Sequence, residues 1–343
     1  MSTSIKEKLM PPKSWLNTDS HYKIALQNEW YKKLVILQDE INHSSWEFFR
    51  KKGIRTVSLP ITTGSVTSPM GLGSDSLPVK INLEGVETYL SDSMQFHLEY
   101  LLRYLEDGVH YIMPSFRGEL ADQRHLCQFY HSEAEIMGSL EDVIHLVNEY
   151  IYNLCSDLLE RIPDLIEEFA GTLDHVHSIV NKKMVIPTIT FEEAAKILED
   201  KPEYIEHHQE GFRTITSDGE KKLIEIYGGM LWVSHYDYIS VPFYQAVEET
   251  GKYAKNADLL FGIGEVVGAG ERHVNAIETR DSLEMHGLSE AEYEWYVYMK
   301  EKHPLKTSGF GMGIERFLLW LTQQDDIRDF QVIPRFNGIT INP

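Results

Sequence analysis

The sequence predicts an α+β fold in which antiparallel strands form the centre and helices surround them. Two β-rich stretches, GVHYIMPSFRGE (108–119) and LCQFYHSEAEIM (126–137), are joined by a short polar segment and predict an antiparallel hairpin. Further along, ADLLFGIGEVVGAGERH (257–273) and GFGMG (309–313) are glycine-punctuated strands separated by helical segments. Runs of strands with helices around them indicate α+β rather than alternating parallel units.

The other elements follow from the period of the apolar residues. Apolar side chains that recur every three or four residues predict helices, and strict alternation predicts strands. In chain order we expect a long helix at 22–52, a strand at 54–60, a hairpin at 74–93, a helix at 94–105, a helix at 140–162, a short helix at 191–200 and a strand-rich stretch at 228–245.

Composition excludes several classes of protein. Hydrophobic residues make up 42% of the 343 residues, as expected for a packed chain without extended disorder. Apolar runs are too short for a transmembrane helix and the amino terminus lacks a signal-peptide pattern, so we expect a cytoplasmic protein. Cys127 and Cys155 are too few for a disulfide framework. A net charge of −21 disfavours a nucleic-acid partner, unless a local basic patch opposes the overall field.

Charged and aromatic side chains share one face of the predicted 108–137 hairpin. Arg117 and Glu119 are two residues apart, and Phe129, Glu133 and Glu135 alternate on the returning strand, so each set points the same way. Burying these charges in a core would be costly without partners. A pocket for a nucleotide and an amino acid explains them better, because arginine can hold a phosphate, an aromatic ring can stack on a base, and carboxylates can hold an ammonium group.

Asp258 and Glu265 are candidate ligands of a divalent cation. They are an odd number of residues apart, so a regular strand would place them on opposite faces. A β-bulge at Gly262 or Gly264 would bring the two carboxylates together around the ion.

Glycines at alternate positions, 309, 311 and 313, precede a helix that opens with Glu315 and Arg316. Glycine weakens a strand, so a bare strand face indicates that something approaches the backbone closely. A second backbone or a tight bend would also explain the pattern, and the motif alone leaves these explanations open.

Taken together, three stretches resemble the motifs of class II aminoacyl-tRNA synthetases. GIRTVSLPITTGS (53–65) resembles motif 1, FRGELADQRHLCQF (116–129) motif 2, and GFGMGIERF (309–317) motif 3. The resemblance runs from about residue 30 to Arg335. It is closest to the aspartyl/asparaginyl subgroup, through PITTGS (60–65), DLLFGIGEVVGAGERH (258–273) and DDIRDFQVIPRF (325–336).

The resemblance implies ATP and Mg²⁺ as cofactors and a role for each matching residue. Arg117 would hold the α-phosphate during attack by the amino-acid carboxylate, and Arg316 would stack over the adenine and reach the γ-phosphate. These two arginines are the expected catalytic residues. Gly311 and Gly313 would let ATP lie close to the strand. Further ATP contacts are expected from Glu119, Arg124, His125 and Phe129, and Mg²⁺ ligands from Asp258 and Glu265.

The expected amino-acid pocket resembles that of the asparaginyl branch. Leu98 follows Gln95 at the spacing where the aspartyl branch has a lysine, and EAE (133–135) matches the asparaginyl EPE motif. Glu133 would accept from a side-chain amide while Arg272 donates to its oxygen, which favours asparagine over aspartate. The residues expected to bind the amino acid are Gln95, Glu133, Glu135, Glu271 and Arg272.

Two departures from the family pattern leave another arrangement open. The family's Gln-Arg is Glu271-Arg272 here, and its Pro-His-Ser-Gly is Lys306-Thr307-Ser308-Gly309. Glu271 and Arg272 would equally clamp the α-ammonium and α-carboxylate of aspartate, and the β-carboxylate would then face ATP. That is the arrangement expected of an asparagine synthetase that uses ammonia.

We expect a short amino-terminal extension (1–30) and a catalytic domain (31–343) with an insertion at about 163–250, and no OB-fold anticodon-binding domain. With the acidic charge, this predicts a ligase that activates an aspartate- or asparagine-like amino acid and transfers it to ammonia or a small amine, with tRNA disfavoured. An asparagine–tRNA ligase and an inactive amino-acid-binding paralogue are the alternatives. Motif 1 in such enzymes implies a homodimer, here through the helix ending near Lys52 and the strand to Pro60.

Overall fold

The computed structural model describes residues 8–67, 76–105, 107–181 and 185–342. The helices in these ranges are α1 (His21–Ala25), α2 (Glu29–Lys51), α3 (Gln95–Leu105), α4 (Leu140–Arg161), α5 (Pro163–Ala170), α6 (Asp174–Asn181), α7 (Phe191–Ile197), α8 (Ser217–Tyr227), α9 (Ala276–Met285), α10 (Glu294–Lys302) and α11 (Ile314–Leu321). The strands are β1 (Arg55–Thr56), β2 (Thr62–Thr63), β3 (Val79–Leu83), β4 (Val86–Leu90), β5 (Val109–Phe116), β6 (Gln128–Met137), β7 (Thr188–Thr190), β8 (Ile205–His207), β9 (Arg213–Ile215), β10 (Leu231–Ser234), β11 (Asn256–Phe261), β12 (Gly264–Glu271) and β13 (Thr307–Gly313).

One mixed sheet organises the chain, with strand order β1-β5-β6-β13-β12-β11-β10-β7. Pairing is antiparallel from β5 through β10 and parallel at both edges, where β1 pairs with β5 and β7 pairs with β10. The predicted hairpin at 74–93 is β3 and β4, which belong to a smaller sheet with β2. The arrangement confirms the predicted α+β class.

Three predicted elements are divided or shorter in the structure. The helix predicted at 22–52 is divided into α1 and α2, because the Asn28 side chain accepts a hydrogen bond from Trp30 N and caps a new helix. The strand predicted at 54–60 is regular only in β1. Of the strand-rich stretch at 228–245, only β10 joins the sheet.

Helices α2 and α4 cover one face of the sheet. Phe310 and Met312 of β13 point into that core together with Trp30, Phe49 and Tyr150. Because side chains alternate along a strand, Gly309 and Gly311 face the other way. The helices therefore leave the opposite face of the central strands open for a site.

Residues 163–250 extend the sheet through β7 and β10 and add α8 at its edge. Chain on the amino-terminal side of α2 packs against the carboxyl-terminal segment: Trp15 Nε1 donates to Asp329 Oδ1 (2.7 Å), and the Trp15 ring meets Phe336 edge-on. Among the described helices, none is both long enough and apolar enough to cross a membrane.

Candidate active site

The open face of the sheet carries a bare strip of backbone between two acids. The strand register places Glu133, Gly311, Gly268 and Asp258 in one row across β6, β13, β12 and β11. Residues in register share a face, so the carboxylates stand at the two ends of a floor without side chains. A flat ligand can therefore lie directly on the strands at this row.

The next row of glycines serves a different purpose. A Cβ atom on Gly309 would lie 1.8 Å from Glu135 Oε2, and one on Gly270 would lie 1.8 Å from Gln245 Oε1. Gly309 and Gly270 are directly opposite each other on β13 and β12. The space beside these glycines is thus occupied by the protein's own side chains.

Two adjoining cavities lie above this floor, one of about 620 Å³ and one of about 110 Å³. The predicted site residues that line the larger cavity are Gln95, Arg117, Glu119, His125, Glu133, Asp258, Glu265, Arg272, Gly311 and Arg316. Those lining the smaller cavity are Arg117, Glu119, Arg124, His125, Phe129, Glu265, Gly311, Gly313 and Arg316. Of the residues predicted for the site, Glu135 and Glu271 line neither cavity.

Arg117 and Glu119 lie beyond the end of β5, in the segment that leads to β6, and not on a regular strand as predicted. The guanidinium of Arg117 lies 5.4 Å from the centre of the Phe129 ring. Its Nε is buried without a hydrogen-bond partner, and within the described chain Arg117 forms no ion pair. Arg117 is therefore a positive group available to an anionic ligand.

Arg316 opens α11 and turns back over the sheet. Its Nη1 donates to the Glu265 carbonyl oxygen at 2.6 Å and lies 3.9 Å from the Glu265 carboxylate. Arg117 and Arg316 both line the two cavities, so positive charge flanks their junction.

Helix α8 brings an unpredicted acid to the site. Glu220 Oε2 lies 3.1 Å from Arg124 Nη2, and burial followed by repulsion from Glu265 raises the Glu220 pKa to about 7. Because Arg124 is held by this ion pair, a phosphate that binds Arg124 would have to compete with Glu220. His125 instead bonds to Asp122 within its own loop.

Asp258 and Glu265 converge, but the bulge that joins them is not at either predicted glycine. Leu259 pairs with Val267 and Leu260 with Glu265, so Val266 is the extra residue. Both carboxylates lie beside Gly268, where a Cβ atom would be 3.0 Å from Glu265 Oε1 and 3.7 Å from Asp258 Oδ1. Burial, and then repulsion from Glu265, raises the Asp258 pKa well above its usual range.

This carboxylate pair fits a divalent cation, because a positive ion would relieve both the burial and the repulsion. In the described part of the chain, no three potential metal ligands are gathered in one place. Mg²⁺ commonly binds through one or two carboxylates and completes its shell with phosphates and water, which matches a site of two acids.

Glu133 ends the floor on the other side and is almost fully bonded. Oε2 accepts from Ser93 Oγ (2.7 Å) and from the Tyr111 hydroxyl, and Oε1 lies 3.2 Å from His131 Nδ1. Burial would raise the Glu133 pKa, but the hydrogen bonds from His131, Tyr111 and Ser93 lower it below its usual value. The ionised carboxylate has room for one more donor, on Oε1.

Arg272 is fixed by three hydrogen bonds and by one aromatic ring. Its Nε and Nη2 donate to Glu135 at 3.1 and 3.0 Å, and Nη1 donates to Gln245 Oε1 at 2.9 Å. The ring of Tyr244 lies 5.4 Å from the guanidinium carbon. Glu135 therefore holds Arg272 from beneath and lines neither cavity, in contrast to its predicted place among the residues that bind the amino acid.

Glu271 is a second correction. Adjacent residues at the end of β12 point to opposite faces, so Glu271 points away from the cavity that Arg272 lines. Its carboxylate accepts from Leu140 N and binds Lys255 (3.1 Å) and Lys306 (3.3 Å). The two departures from the family pattern thus pair with each other, and a Glu271–Arg272 clamp on one substrate is excluded.

Four polar residues that line the larger cavity illustrate what sequence reasoning missed: Asp92, His131, Glu220 and Gln245. Only His131 had a visible signal, because it alternates with Phe129 and Glu133 on β6. The other three reach the cavity through tertiary packing that no local spacing reveals.

The chain matches the family model described as class II tRNA synthetases (D, K and N) over residues 17–337. It is similar to the asparagine–tRNA ligase of Alkaliphilus metalliredigens, at 28% identity over 84% of this chain and 67% of that protein. The ligase of the same name from Thermoplasma acidophilum is 26% identical over 90% of this chain and 70% of the relative.

Solved structures show the same fold. An asparaginyl-tRNA synthetase from Pyrococcus horikoshii, complexed with asparaginyl-adenylate, superposes with a TM-score of 0.85 at 24% identity, over 97% of this chain and 74% of that one. An aspartyl-tRNA synthetase from Entamoeba histolytica gives a TM-score of 0.76 at 16% identity, over 99% and 65%.

Proposed function

The chain belongs to the class II tRNA synthetases of the D, K and N type, a family of ligases, and we propose that it activates asparagine with ATP and transfers it to tRNA. The larger cavity would hold the amino acid between Glu133 and Arg272, and the smaller one would hold the adenine beside Phe129. The α-phosphate would then lie at the junction, beside Arg117.

The ionised, hydrogen-bonded carboxylate of Glu133 is the observation that favours asparagine over aspartate. With Ser93, Tyr111 and His131 bonded to it, this ionised carboxylate can accept one further hydrogen bond and can donate none. An amide NH₂ supplies that donor, whereas a substrate carboxylate would place two negative groups together.

The contacts of Arg272 favour an amino-acid substrate with an uncharged side chain. Its charge is matched by Glu135, and two of its N–H groups remain for an uncharged oxygen. Gln95 adds a donor, because its buried Nε2 has no partner among the described residues. Asparagine can use all of these groups at once.

The relatives favour tRNA as the acceptor. The preference for ammonia or an amine that we drew from the sequence has no support among them, since they are named asparagine–tRNA ligases. Reversed binding of aspartate also required Glu271 in the pocket, and Glu271 lies on the other face of the sheet.

The first step would rest on positioning and charge. Arg117, which forms no ion pair with any described residue, would bind the α-phosphate while the asparagine carboxylate attacks the phosphorus in line. Arg316 would hold the adenine and outer phosphates. Asp258 and Glu265 would hold Mg²⁺, which supplies neutralisation of the leaving pyrophosphate. No covalent bond to the protein is required.

We also propose a homodimer through the face that carries α2 and β1. A cavity of about 750 Å³ opens there, lined by Trp46, Thr56, Tyr130 and Ile333. Trp46, Tyr130 and Ile333 are 43%, 44% and 49% exposed. A group of large apolar side chains this exposed is typical of a protein–protein interface. The motif 1 segment borders this patch, so a second copy is the partner that fits.

Exchange of pyrophosphate into ATP tests the proposal. We expect exchange with asparagine, much less with aspartate, and charging of a tRNA transcript that carries the asparagine anticodon. Exchange with aspartate, together with product formation from ammonia and no tRNA charging, would replace the proposed function by the small-molecule ligase.

A further inference from the structure

His131 lies where the two cavities meet. On the same face of β6, Phe129 precedes it at the nucleotide cavity and Glu133 follows it at the amino-acid cavity. The imidazole lines both cavities while only 14% of its side chain is exposed. This is the place where an adenylate would join its amino-acid and phosphate parts.

Hydrogen bonds decide which ring nitrogen carries the proton. His131 Nδ1 lies 3.2 Å from Glu133 Oε1 and 2.9 Å from Ser115 Oγ. An ionised carboxylate only accepts, so Nδ1 bears the hydrogen and the Ser115 hydroxyl shares it as a second acceptor. Nε2 is then the basic nitrogen, and nothing in the described ranges bonds to it.

The ring is also held in one orientation. The Phe129 ring lies 4.7 Å away, edge to face, and Glu133 is itself anchored by Ser93 and Tyr111. A base oriented by a buried carboxylate is the arrangement that activates weak nucleophiles. Formation of the adenylate needs no such base, because the amino-acid carboxylate that attacks the α-phosphate carries no proton.

We propose that His131 is the general base of the transfer step, an inference that rests on the proposed function. The acceptor hydroxyl oxygen attacks the carbonyl carbon of asparaginyl-adenylate and forms the ester bond, while the hydroxyl proton moves to His131 Nε2. The bond from that carbon to the phosphate oxygen breaks, and AMP leaves with the electron pair. Glu133 stabilises the resulting imidazolium through Nδ1–H.

The substitution His131→Asn separates the two functions of the ring. The asparagine amide keeps an N–H donor near the Nδ1 position, so Glu133 retains its partner, and the basic nitrogen is lost. His145→Asn is the matched control, because the His145 side chain is 72% exposed on α4.

Two rates are compared in each variant: pyrophosphate exchange with asparagine, and single-turnover decay of enzyme-bound asparaginyl-adenylate on mixing with the tRNA transcript or with ammonium chloride. In His131→Asn we expect transfer to fall about 100-fold or more beyond any fall in exchange. Added imidazole should restore part of the transfer rate in His131→Ala.

Other results overturn the inference. Equal losses in exchange and transfer would make His131 a positioning residue for Glu133, and unchanged transfer would leave it no catalytic role. The inference also fails if wild-type protein catalyses pyrophosphate exchange with asparagine but transfers asparagine to neither tRNA nor ammonia, because no transfer step would then exist in which His131 could act as a base. Wild-type protein without any exchange would instead refute the proposed function on which the inference rests.

Discussion

Gly309 and Glu135 face each other across β13 and β6 so closely that a methyl group on Gly309 would lie 1.8 Å from the Glu135 carboxylate. The same methyl would be 2.6 Å from the Ala134 carbonyl oxygen, which cannot move without displacing the strand. The glycine is therefore required by the Glu135–Arg272 ion pair at the larger cavity.

Gly309→Ala should destabilise the protein by about 2 to 3 kcal/mol, since overpacking strains both the backbone and the Glu135–Arg272 pair. Urea unfolding measures the change. Gly313→Ala is the matched control: the nearest atoms to a Cβ there belong to the Arg316 side chain, at an ordinary contact distance of 3.7 Å, and the change should cost less than about 1 kcal/mol. Equal losses in the two variants would contradict the steric argument.

The sequence predicted most of the strands that form the floor, because alternation and glycine spacing are local signals. It could not place Val266 as the bulged residue, since a bulge depends on the partner strand as much as on its own residues. Glu271 was misplaced for a related reason: it adjoins Arg272 in sequence, yet neighbours on a strand point to opposite faces.

Long-range partners were also beyond the reach of sequence spacing. Glu220 meets Arg124 only because α8 packs beside the sheet. The sequence around Lys306 does not indicate which residue it pairs with. In the structure Lys306 forms an ion pair with Glu271, which explains why a lysine stands at this position of the family's Pro-His-Ser-Gly motif. Such pairs follow from the tertiary fold, which no local period encodes.

Arg117→Ala should lower asparagine-dependent pyrophosphate exchange by about 100- to 1,000-fold, because the preorganised charge at the α-phosphate is lost. Since Arg117 has no ion pair within the described chain, stability should change by less than about 0.5 kcal/mol. Arg50→Ala removes a comparable arginine–aromatic contact at the surface, over Trp46, and should leave exchange intact. Retained exchange in Arg117→Ala would remove this residue from the phosphate site.

Glu133→Gln and Glu271→Gln distinguish the two faces of the sheet. Glu133→Gln replaces an acceptor by a group that also donates, so the KM for asparagine in exchange should rise about 10-fold or more. Glu271→Gln keeps an acceptor for Leu140 N and lies outside the cavity, so its KM should stay within about twofold. A large KM effect of Glu271→Gln would return that residue to the substrate pocket.

Light scattering should give a dimer mass for the wild-type protein. Trp46→Glu places a charge among the exposed apolar side chains of the cavity beside α2 and should shift the protein toward monomer at micromolar concentration. Ile277→Glu changes an equally apolar residue that is 71% exposed on α9, and should leave the mass unchanged. A monomeric wild type would refute the proposed interface.

Glu315 should make stability depend on pH. It is buried between α11 and β6, where its carboxylate accepts a hydrogen bond from Tyr130 N, and burial raises its pKa from 4.5 to about 7. A carboxyl whose pKa is higher in the folded than in the unfolded state does not lower the unfolding free energy at pH values below its unfolded-state pKa. As pH rises from the unfolded-state pKa to the folded-state pKa, it lowers the unfolding free energy progressively, and above the folded-state pKa the loss is constant.

Glu315→Gln removes that pH dependence. Relative to wild type, the variant should gain about 2.5 kcal/mol of unfolding free energy between about pH 5 and about pH 8. Urea unfolding at both pH values measures the gain, and Glu294→Gln, at the exposed start of α10, serves as the control. The difference in unfolding free energy between Glu315→Gln and wild type could instead be the same at both pH values. That result would show that the buried carboxyl ionises as readily in the folded protein as in the unfolded chain.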